Sequence, residues 1–197
     1  MDFHDVARRR RMIRSFDDTP VSTEVVDHLI DVARRSPSAG YSQGVDFVVL
    51  QGPDETNQFW DVPGVRDFWE PRFPGLLRAP VLVFPFADSG RYLRRYAEPD
   101  KAAAGLQDAS AWPVPYWLVD TAMATMALLL AVVDAGLGAL FFGLRAYGPL
   151  LERLAVPPDR EPIGVVAIGH PADASRTGSS VTRPRRPLSE VLHRGHW

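Results

Sequence analysis

An uninterrupted apolar stretch lies in the second half of this chain, at residues 121–133 (TAMATMALLLAVV), between Asp120 and Asp134. About 13 residues are too few for a bilayer span, which needs roughly 20. The stretch therefore predicts a helix that is buried inside the protein or at a subunit interface. We expect this helix to run from Tyr116 to Ala135 and to end at Gly136-Leu137-Gly138, because glycine commonly follows the C-terminus of a helix.

The remaining segments mix helices and strands, with helices in excess. A first helix is expected over residues 2–10, capped by Asp2. A second, capped by Ser22 or Thr23, should stop at Ser36-Pro37, because proline disfavours helix before it. Strands are expected at 47–50, 81–84, 139–142 and 163–169, and a short helix at 149–154. Pro85 predicts that the second strand ends early or lies at a sheet edge.

Composition limits the kinds of chemistry that are open to the chain. Cysteine is absent, which excludes disulfides, thiolate nucleophiles and cysteine-ligated metal or iron–sulfur sites. The net charge of −2 does not indicate a general nucleic-acid binder. Residues 1–5 are polar and acidic, without the apolar segment of a signal peptide, so a cytoplasmic protein without membrane attachment is expected.

No set of side chains stands out as a catalytic centre. Ser38 lacks the Gly-x-Ser-x-Gly turn of a hydrolase, and His193 and His196 lie too near the C-terminus to indicate a metal site. Gly136-Leu137-Gly138 does not fit a dinucleotide-binding turn, because a helix precedes it and a strand follows it. By elimination, the chemistry is expected to belong to a bound organic cofactor, with neither a metal nor a catalytic side chain.

Two arginine-rich segments, residues 8–14 and 183–186, concentrate positive charge on a chain that is slightly acidic as a whole. Arginine forks match phosphate oxygens, so the two segments together predict a phosphate clamp if the fold brings them close. The alternative is a set of solvated cations that pair with nearby carboxylates. Arg8 and Arg9 fit that alternative best, because they are expected on the solvent side of the first helix.

Four blocks of sequence resemble the FMN-dependent nitroreductase family, in the family's order. The blocks are RRMIRSF at 10–16, SPSAGYSQ at 36–43, DAGLGALFFG at 134–143 and RPRRPL at 183–188. The resemblance implies an α+β fold with a small, mainly antiparallel central sheet surrounded by helices. It also implies an intertwined homodimer that binds FMN at its interface. The length fits one domain over residues 1–197, and the C-terminal tail is too polar to fold alone, so we expect it to pack on another surface, with the partner subunit as the candidate.

The resemblance also implies roles for individual residues. Arg10, Arg11 and Arg14 would hold the FMN phosphate and ribityl chain, with Arg183 and Arg185 completing the clamp. Pro37, Ser38 and Gln43 would line the flavin from the other subunit, and Phe142 and Gly143 would bring backbone amides to its N5 and O4 edge. The full implied set of cofactor-binding residues is Arg10, Arg11, Met12, Arg14, Pro37, Ser38, Ala39, Gln43, Phe141, Phe142, Gly143, Arg183 and Arg185.

The sequence departs from the family pattern at several positions. Met12 replaces a serine, Tyr41 stands where asparagine is common, and Gly44 replaces a proline. The Ala39-Gly40 turn is closer to the branch that contains the flavin-cleaving enzyme of cobalamin lower-ligand synthesis. The aromatic segment 88–117 matches no general motif; we expect it to form a substrate-side lid, with ordinary aromatic packing as the alternative.

The implied function is that of an FMN-dependent oxidoreductase. NAD(P)H, or a deazaflavin, would give hydride to FMN N5, and a small nitroaromatic, quinone or other conjugated acceptor would then take it by ping-pong exchange. One alternative is a specialised enzyme of the same fold, such as one that fragments flavin with oxygen. Another is a non-catalytic protein that stores FMN.

Overall fold

The computed structural model of the protein describes residues 1–144, 147–172 and 183–197, which form an α+β fold. The α-helices are α1 (Phe3–Arg9), α2 (Thr23–Ala33), α3 (Pro53–Trp60), α4 (Val65–Trp69), α5 (Ser89–Tyr96), α6 (Tyr116–Asp134) and α7 (Gly148–Arg153). The strands are β1 (Val45–Gln51), β2 (Val81–Asp88), β3 (Gly138–Phe142), β4 (Arg160–Pro162) and β5 (Val165–Gly169). The predicted fold class is confirmed.

The central sheet has the strand order β1-β2-β5-β3, with β4 beside β2, and all of its strand pairs are antiparallel. Strands β1 and β3 therefore lie at opposite ends of this path. The segment between α1 and α2 runs along β3: Met12 forms a parallel bridge with Ala139, and the Ile13 N–H donates to the Ala139 carbonyl at 2.9 Å. The first arginine segment is thus held at the β3 edge of the sheet.

Helix α6 packs against α2 and one face of the sheet, where Leu128 and Val132 are fully buried. It ends as predicted: Gly136 takes a left-handed φ of 76°, and the Leu137 N–H donates to the Val132 carbonyl at 2.9 Å. By length and composition alone the helix could cross a membrane, but 56% of its apolar window is buried inside the protein. It is the core helix that the sequence predicts.

The opposite face of the sheet carries an aromatic cluster. The Phe59 ring packs edge-on against Phe84 at a centroid distance of 5.4 Å, and Trp69 meets Phe142 in the same manner at 4.7 Å. Edge-to-face pairs of this kind add about 0.5–1.5 kcal/mol each beyond the area that they bury. This cluster fixes the position of the C-terminal end of β3.

The prediction drawn from Pro85 is wrong. Strand β2 continues through Pro85 to Asp88 and lies inside the sheet rather than at an edge. Along β2 the partner strand changes from β5, which pairs with residues 81–83, to β4, which pairs with residues 86–88. Pro85 falls at this change of partner, where the ladder is already interrupted and a missing N–H costs least.

Candidate functional site

The first arginine segment presents three guanidinium groups near the β3 edge. Arg14 donates from Nη1 to the Met12 carbonyl at 3.1 Å, and its guanidinium lies 5.6 Å from the centroid of the Phe73 ring. Arg11 is exposed and donates to the Arg10 carbonyl at 3.2 Å. Within the described ranges, none of Arg10, Arg11 and Arg14 forms an ion pair with a carboxylate. All three guanidinium groups are therefore available to pair with an anionic ligand.

Arg10 carries the most informative atom of this segment. Its Nη1 is buried and has no hydrogen-bond partner among the described residues. A buried donor without an acceptor costs about 1–3 kcal/mol, and more when it is charged. A phosphate oxygen would supply the missing acceptor, so this part of the chain fits the phosphate of FMN. Arg9 is exposed and Arg8 pairs with Asp5, as expected for residues on the solvent side of α1.

The end of β3 lies close to the arginine segment. The Phe73 ring beneath Arg14 contacts Trp69, and Trp69 contacts Phe142. Phe142 is 7% exposed, so its side chain belongs to the core and only its backbone could face a ligand. Gly143 is exposed, and its N–H has no partner among the described residues. Together, the arginines and this free amide form one candidate half-site.

The second candidate half-site is the turn at residues 36–44, which leads from α2 into β1. Ser38 organises it twice: its carbonyl accepts from the Tyr41 N–H at 2.8 Å, and its Oγ accepts from the Gln43 N–H at 2.9 Å. Tyr41 and Gln43 take left-handed φ values of 58° and 52°, which cost roughly 1–2 kcal/mol each outside glycine. Pro37 and Gln43 are exposed, while Ser38 and Ala39 are half-buried.

The turn is clamped from behind by α5 and α6. The Ala39 N–H donates to Asp120 Oδ2 at 2.8 Å, the Tyr92 hydroxyl donates to the same oxygen at 2.7 Å, and Arg95 Nε donates to the Gly40 carbonyl at 2.9 Å. Burial, together with the hydrogen bond to Asp120, raises the pKa of Tyr92, so its phenol stays a neutral donor. These clamps maintain the strained turn.

Gly44 departs from the family's proline for a reason that the structure explains. A Cβ at this position would lie 2.4 Å from the Tyr92 ring and 2.8 Å from the Asp88 carbonyl oxygen. Only a residue without a side chain fits between the turn and α5. No property of the local sequence could have predicted this, because the contact joins residues that are far apart in the chain.

The two half-sites do not meet within one chain. The turn enters β1, whereas the arginine segment pairs with β3, and β1 and β3 are separated by β2 and β5. Three strand spacings of ~4.8 Å place the two edges on the order of 14 Å apart. Within one chain, the two half-sites are therefore about three strand spacings apart.

The C-terminal arginines Arg183, Arg185 and Arg186 lie in the exposed segment 183–197. Arg183 and Arg185 are exposed and make no hydrogen bond or ion pair with any part of the chain that the structure describes. Arg186 pairs with Glu190 at 3.2 Å. Their part in a phosphate clamp stays a prediction.

The aromatic segment 88–117 contributes packing. Tyr92, Trp112 and Trp117 are buried and meet at ring-centroid distances near 6 Å, and Trp112 Nε1 donates to the Leu106 carbonyl at 2.9 Å. For these three rings the structure supports the packing alternative rather than a lid. Their cluster supports α5 and, through Tyr92, the turn at residues 36–44.

An antiparallel sheet between helices, with an arginine segment at one edge and a strained Ser-Pro turn at the other, defines the class of protein. The profile described as "Nitroreductase family" matches residues 7–170, and the chain belongs to that family. The predicted family is confirmed.

Individual relatives agree with this assignment. The chain is 28% identical over 191 residues to "FMN reductase [NAD(P)H]" of Bacillus subtilis, covering 93% of this chain and 69% of that protein. A nitroreductase family protein of Streptococcus pneumoniae superimposes with a TM-score of 0.74 at 20% identity, covering 98% of this chain and 99% of the other. A protein of Exiguobacterium sibiricum that was solved in complex with FMN gives a TM-score of 0.73 at 17% identity, covering 98% and 97%. These two structural likenesses show the fold.

Proposed function

We propose that this protein is an FMN-dependent NAD(P)H oxidoreductase that is active as a homodimer. The observation that carries the proposal is the buried Arg10 Nη1, which has no acceptor among the described residues. The neighbouring Arg11 and Arg14 likewise have no carboxylate partner in that part of the chain. The FMN reductase of Bacillus subtilis and the FMN complex from Exiguobacterium sibiricum support the predicted cofactor.

FMN, when bound, supplies hydride acceptance and donation at its N5 atom. The residues of this chain bind and orient it. Arg10, Arg11 and Arg14 would donate to the phosphate, and the Gly143 N–H would donate to the N5 and O4 edge of the flavin. Pro37, Ser38, Ala39 and Gln43 line the flavin from the partner copy. The proposal requires no side-chain nucleophile and no metal.

Three features support the homodimer. The two half-sites lie at opposite edges of one sheet. Helix α6 exposes Val119, Met123 and Met126 to 37%, 39% and 44%, and such an apolar stripe marks an interaction surface. Residues 183–197 are exposed throughout, including Leu188 and Trp197 at 70% and 97%. We propose that one domain spans residues 1–197 and that this tail packs on the partner.

The proposed reaction uses NAD(P)H, or a deazaflavin, as the hydride donor and a small conjugated acceptor such as a nitroaromatic or a quinone. Tyr41 supports an aromatic acceptor: its ring is 76% exposed on a turn whose backbone is fixed. An exposed aromatic ring on a rigid turn provides a stacking surface for a planar molecule. We propose a cytoplasmic location, which suits a supply of reduced nicotinamide.

The first test of the proposal is the cofactor content of the purified protein. We expect a flavin absorbance band that corresponds to about one FMN per chain, and dimeric mass by analytical ultracentrifugation. A colourless protein that cannot be reconstituted with FMN would contradict the proposal. Met123→Glu combined with Met126→Glu should give monomers that lose FMN, because a charge on the apolar stripe would be buried in the interface.

Turnover separates the oxidoreductase from its two alternatives. We expect NADH or NADPH oxidation with menadione to exceed the rate of an equal concentration of free FMN. A rate no higher than that of free FMN would favour storage. Anaerobic reduction followed by oxygen should return intact FMN; a non-flavin product would favour the fragmenting enzyme.

A further inference from the structure

Asp120 is a carboxylate in the middle of the fold, 2% exposed, on the most apolar helix of the protein. Its Oδ2 accepts two hydrogen bonds, from the Ala39 N–H and from the Tyr92 hydroxyl. Burying a charge costs several kcal/mol unless it is well bonded, and an apolar residue of similar size would suit this helix better. Stability of α6 therefore does not explain why an aspartate occupies this position.

The aspartate at position 120 is better explained by the Ala39 N–H, which needs an acceptor. Ala39 opens the short 3-10 helix Ala39–Tyr41, and Ser38 provides no side-chain cap for it. The first amides of a helix have no acceptor within the helix and need one from elsewhere. Asp120 supplies that acceptor from a position 81 residues away in the chain. The carboxylate thereby fixes the point where the turn leaves its extended backbone and enters the left-handed residues.

The other contacts of the turn hold different atoms. Arg95 binds the Gly40 carbonyl, and the Ser42 hydroxyl donates to the Ala39 carbonyl at 2.6 Å. Among the described residues, Asp120 provides the acceptor for the Ala39 amide. It also lines a cavity of about 170 Å³ together with Ser36, Ser38 and Gln43 of the turn. Its loss would leave that half-buried amide without an acceptor among the described residues.

We propose that Asp120 is a positioning residue for the cofactor: by accepting the Ala39 N–H, it holds residues 36–43 in the conformation that lines the flavin. This inference rests on the proposed function, in which that turn faces FMN. In this proposal Asp120 acts through the backbone of Ala39 and not through contact with the cofactor. Tyr92 assists by occupying the same carboxylate oxygen with a neutral donor.

The test compares Asp120→Ala and Asp120→Asn with two controls. Tyr92→Phe removes the second donor and keeps the bond to Ala39. Thr125→Val removes a buried hydrogen bond of α6, from the Thr125 hydroxyl to the Thr121 carbonyl at 2.8 Å, without touching the turn. For each protein the readouts are amide exchange of residues 36–44 without cofactor, the dissociation constant of FMN, and the visible spectrum and two-electron potential of bound flavin.

We expect Asp120→Ala to speed exchange of the turn amides and to weaken FMN binding, each by about tenfold or more, as for the loss of a charge-assisted hydrogen bond. Asp120→Asn should restore part of both, because its amide oxygen can still accept from Ala39. Tyr92→Phe should change them less, and Thr125→Val should leave both within about twofold while lowering the melting temperature.

Two results would overturn the inference. One is an Asp120→Ala protein whose turn exchange and FMN affinity match those of Thr125→Val. The other is weakened FMN binding with an unchanged flavin spectrum, potential and turn exchange, which would indicate general destabilisation. A wild-type protein that binds no FMN would instead contradict the proposed function. The exchange measurement on cofactor-free protein would then still decide whether Asp120 fixes the turn.

Discussion

Arg95 joins two segments that are distant in the sequence: its Nε donates to the Gly40 carbonyl at 2.9 Å, while Nη1 and Nη2 both bind the Asp100 carboxylate at 2.7 Å. The guanidinium fork makes both contacts at once, which an ammonium group cannot do. The contact with Asp100 also lowers the pKa of that carboxyl below its ordinary value of 3.8.

Arg95→Lys should therefore release the Gly40 carbonyl while keeping the charge. We expect FMN affinity to fall by about threefold or more, with little change in melting temperature. The matched control is Arg94→Lys on the same helix, because Arg94 is 68% exposed and approaches Asp88 only to 3.7 Å. Isothermal titration with FMN measures the affinity of each variant. Equal affinities for the two variants would show that the fork does not support the turn.

Replacement of Arg10 should separate binding from folding. Arg10→Gln removes a charged group whose Nη1 is buried and has no acceptor in the part of the chain that the structure describes. We expect the cofactor-free protein to keep its unfolding free energy or to gain up to about 1 kcal/mol, while FMN binds at least about tenfold more weakly. Urea unfolding and fluorescence titration give the two quantities. Arg9→Gln, at an exposed position of α1, serves as the control and should change neither; a loss of stability in Arg10→Gln would refute the assignment.

Gly44 should not tolerate a side chain. In Gly44→Ala the new methyl group would meet the Tyr92 ring at 2.4 Å and the Asp88 carbonyl oxygen at 2.8 Å. We expect a loss of about 1–3 kcal/mol in the free energy of unfolding, measured by urea denaturation. Gly148→Ala is the control, since its Cβ would meet nothing within 4 Å. Equal stability of the two variants would contradict the close packing of α5 on the turn.

Tyr92 should make stability depend on pH in the alkaline range. Its pKa is raised by burial above the ordinary value of 10.0, so the unfolded chain loses the phenolic proton before the folded protein does. The stability linked to this proton is fully present below about pH 10 and is lost as the pH rises towards the folded pKa, by up to about 1.4 kcal/mol per pH unit.

Tyr92→Phe removes this contribution of the phenolic proton to the free energy of unfolding. We expect the difference in unfolding free energy, wild type minus variant, to decrease steadily between about pH 9 and pH 11. Urea denaturation at several pH values measures it, and the other titrating groups cancel in the difference. A difference that stays constant would show that the Tyr92 phenol ionises equally easily in both states.

The sequence predicts those parts of the fold that depend on neighbouring residues. Ser22 caps α2, Gly136 follows α6, and the apolar run 121–133 forms a core helix, all as expected from local rules. The ends of the four predicted strands lie within four residues of the observed ends, whereas β4 was not predicted. The continuation of β2 through Pro85 was not predicted, because it depends on where the neighbouring strand changes from β5 to β4.

The candidate site also divides into residues that local sequence predicts and residues that depend on distant contacts. The arginines, the Ser-Pro turn and the end of β3 were predicted from family motifs that are local in sequence. Asp120, Tyr92 and Arg95 were missed, because each contacts residues that are distant along the chain: Asp120 binds Ala39 from 81 residues away, Arg95 binds Gly40 from 55 residues away, and Tyr92 binds Asp120. The one available signal was the acidic residue at the border of the apolar stretch, which sequence reasoning treated only as a boundary.

The placement of the half-sites on opposite edges of the sheet has a genetic consequence. A copy that lacks Arg10 still offers an intact turn, and a copy with a damaged turn still offers its arginines. In the proposed homodimer, a mixed pair of two such copies would have one site with both defects and one site with neither. Two inactive proteins could thus restore activity to each other when they are produced in the same cell.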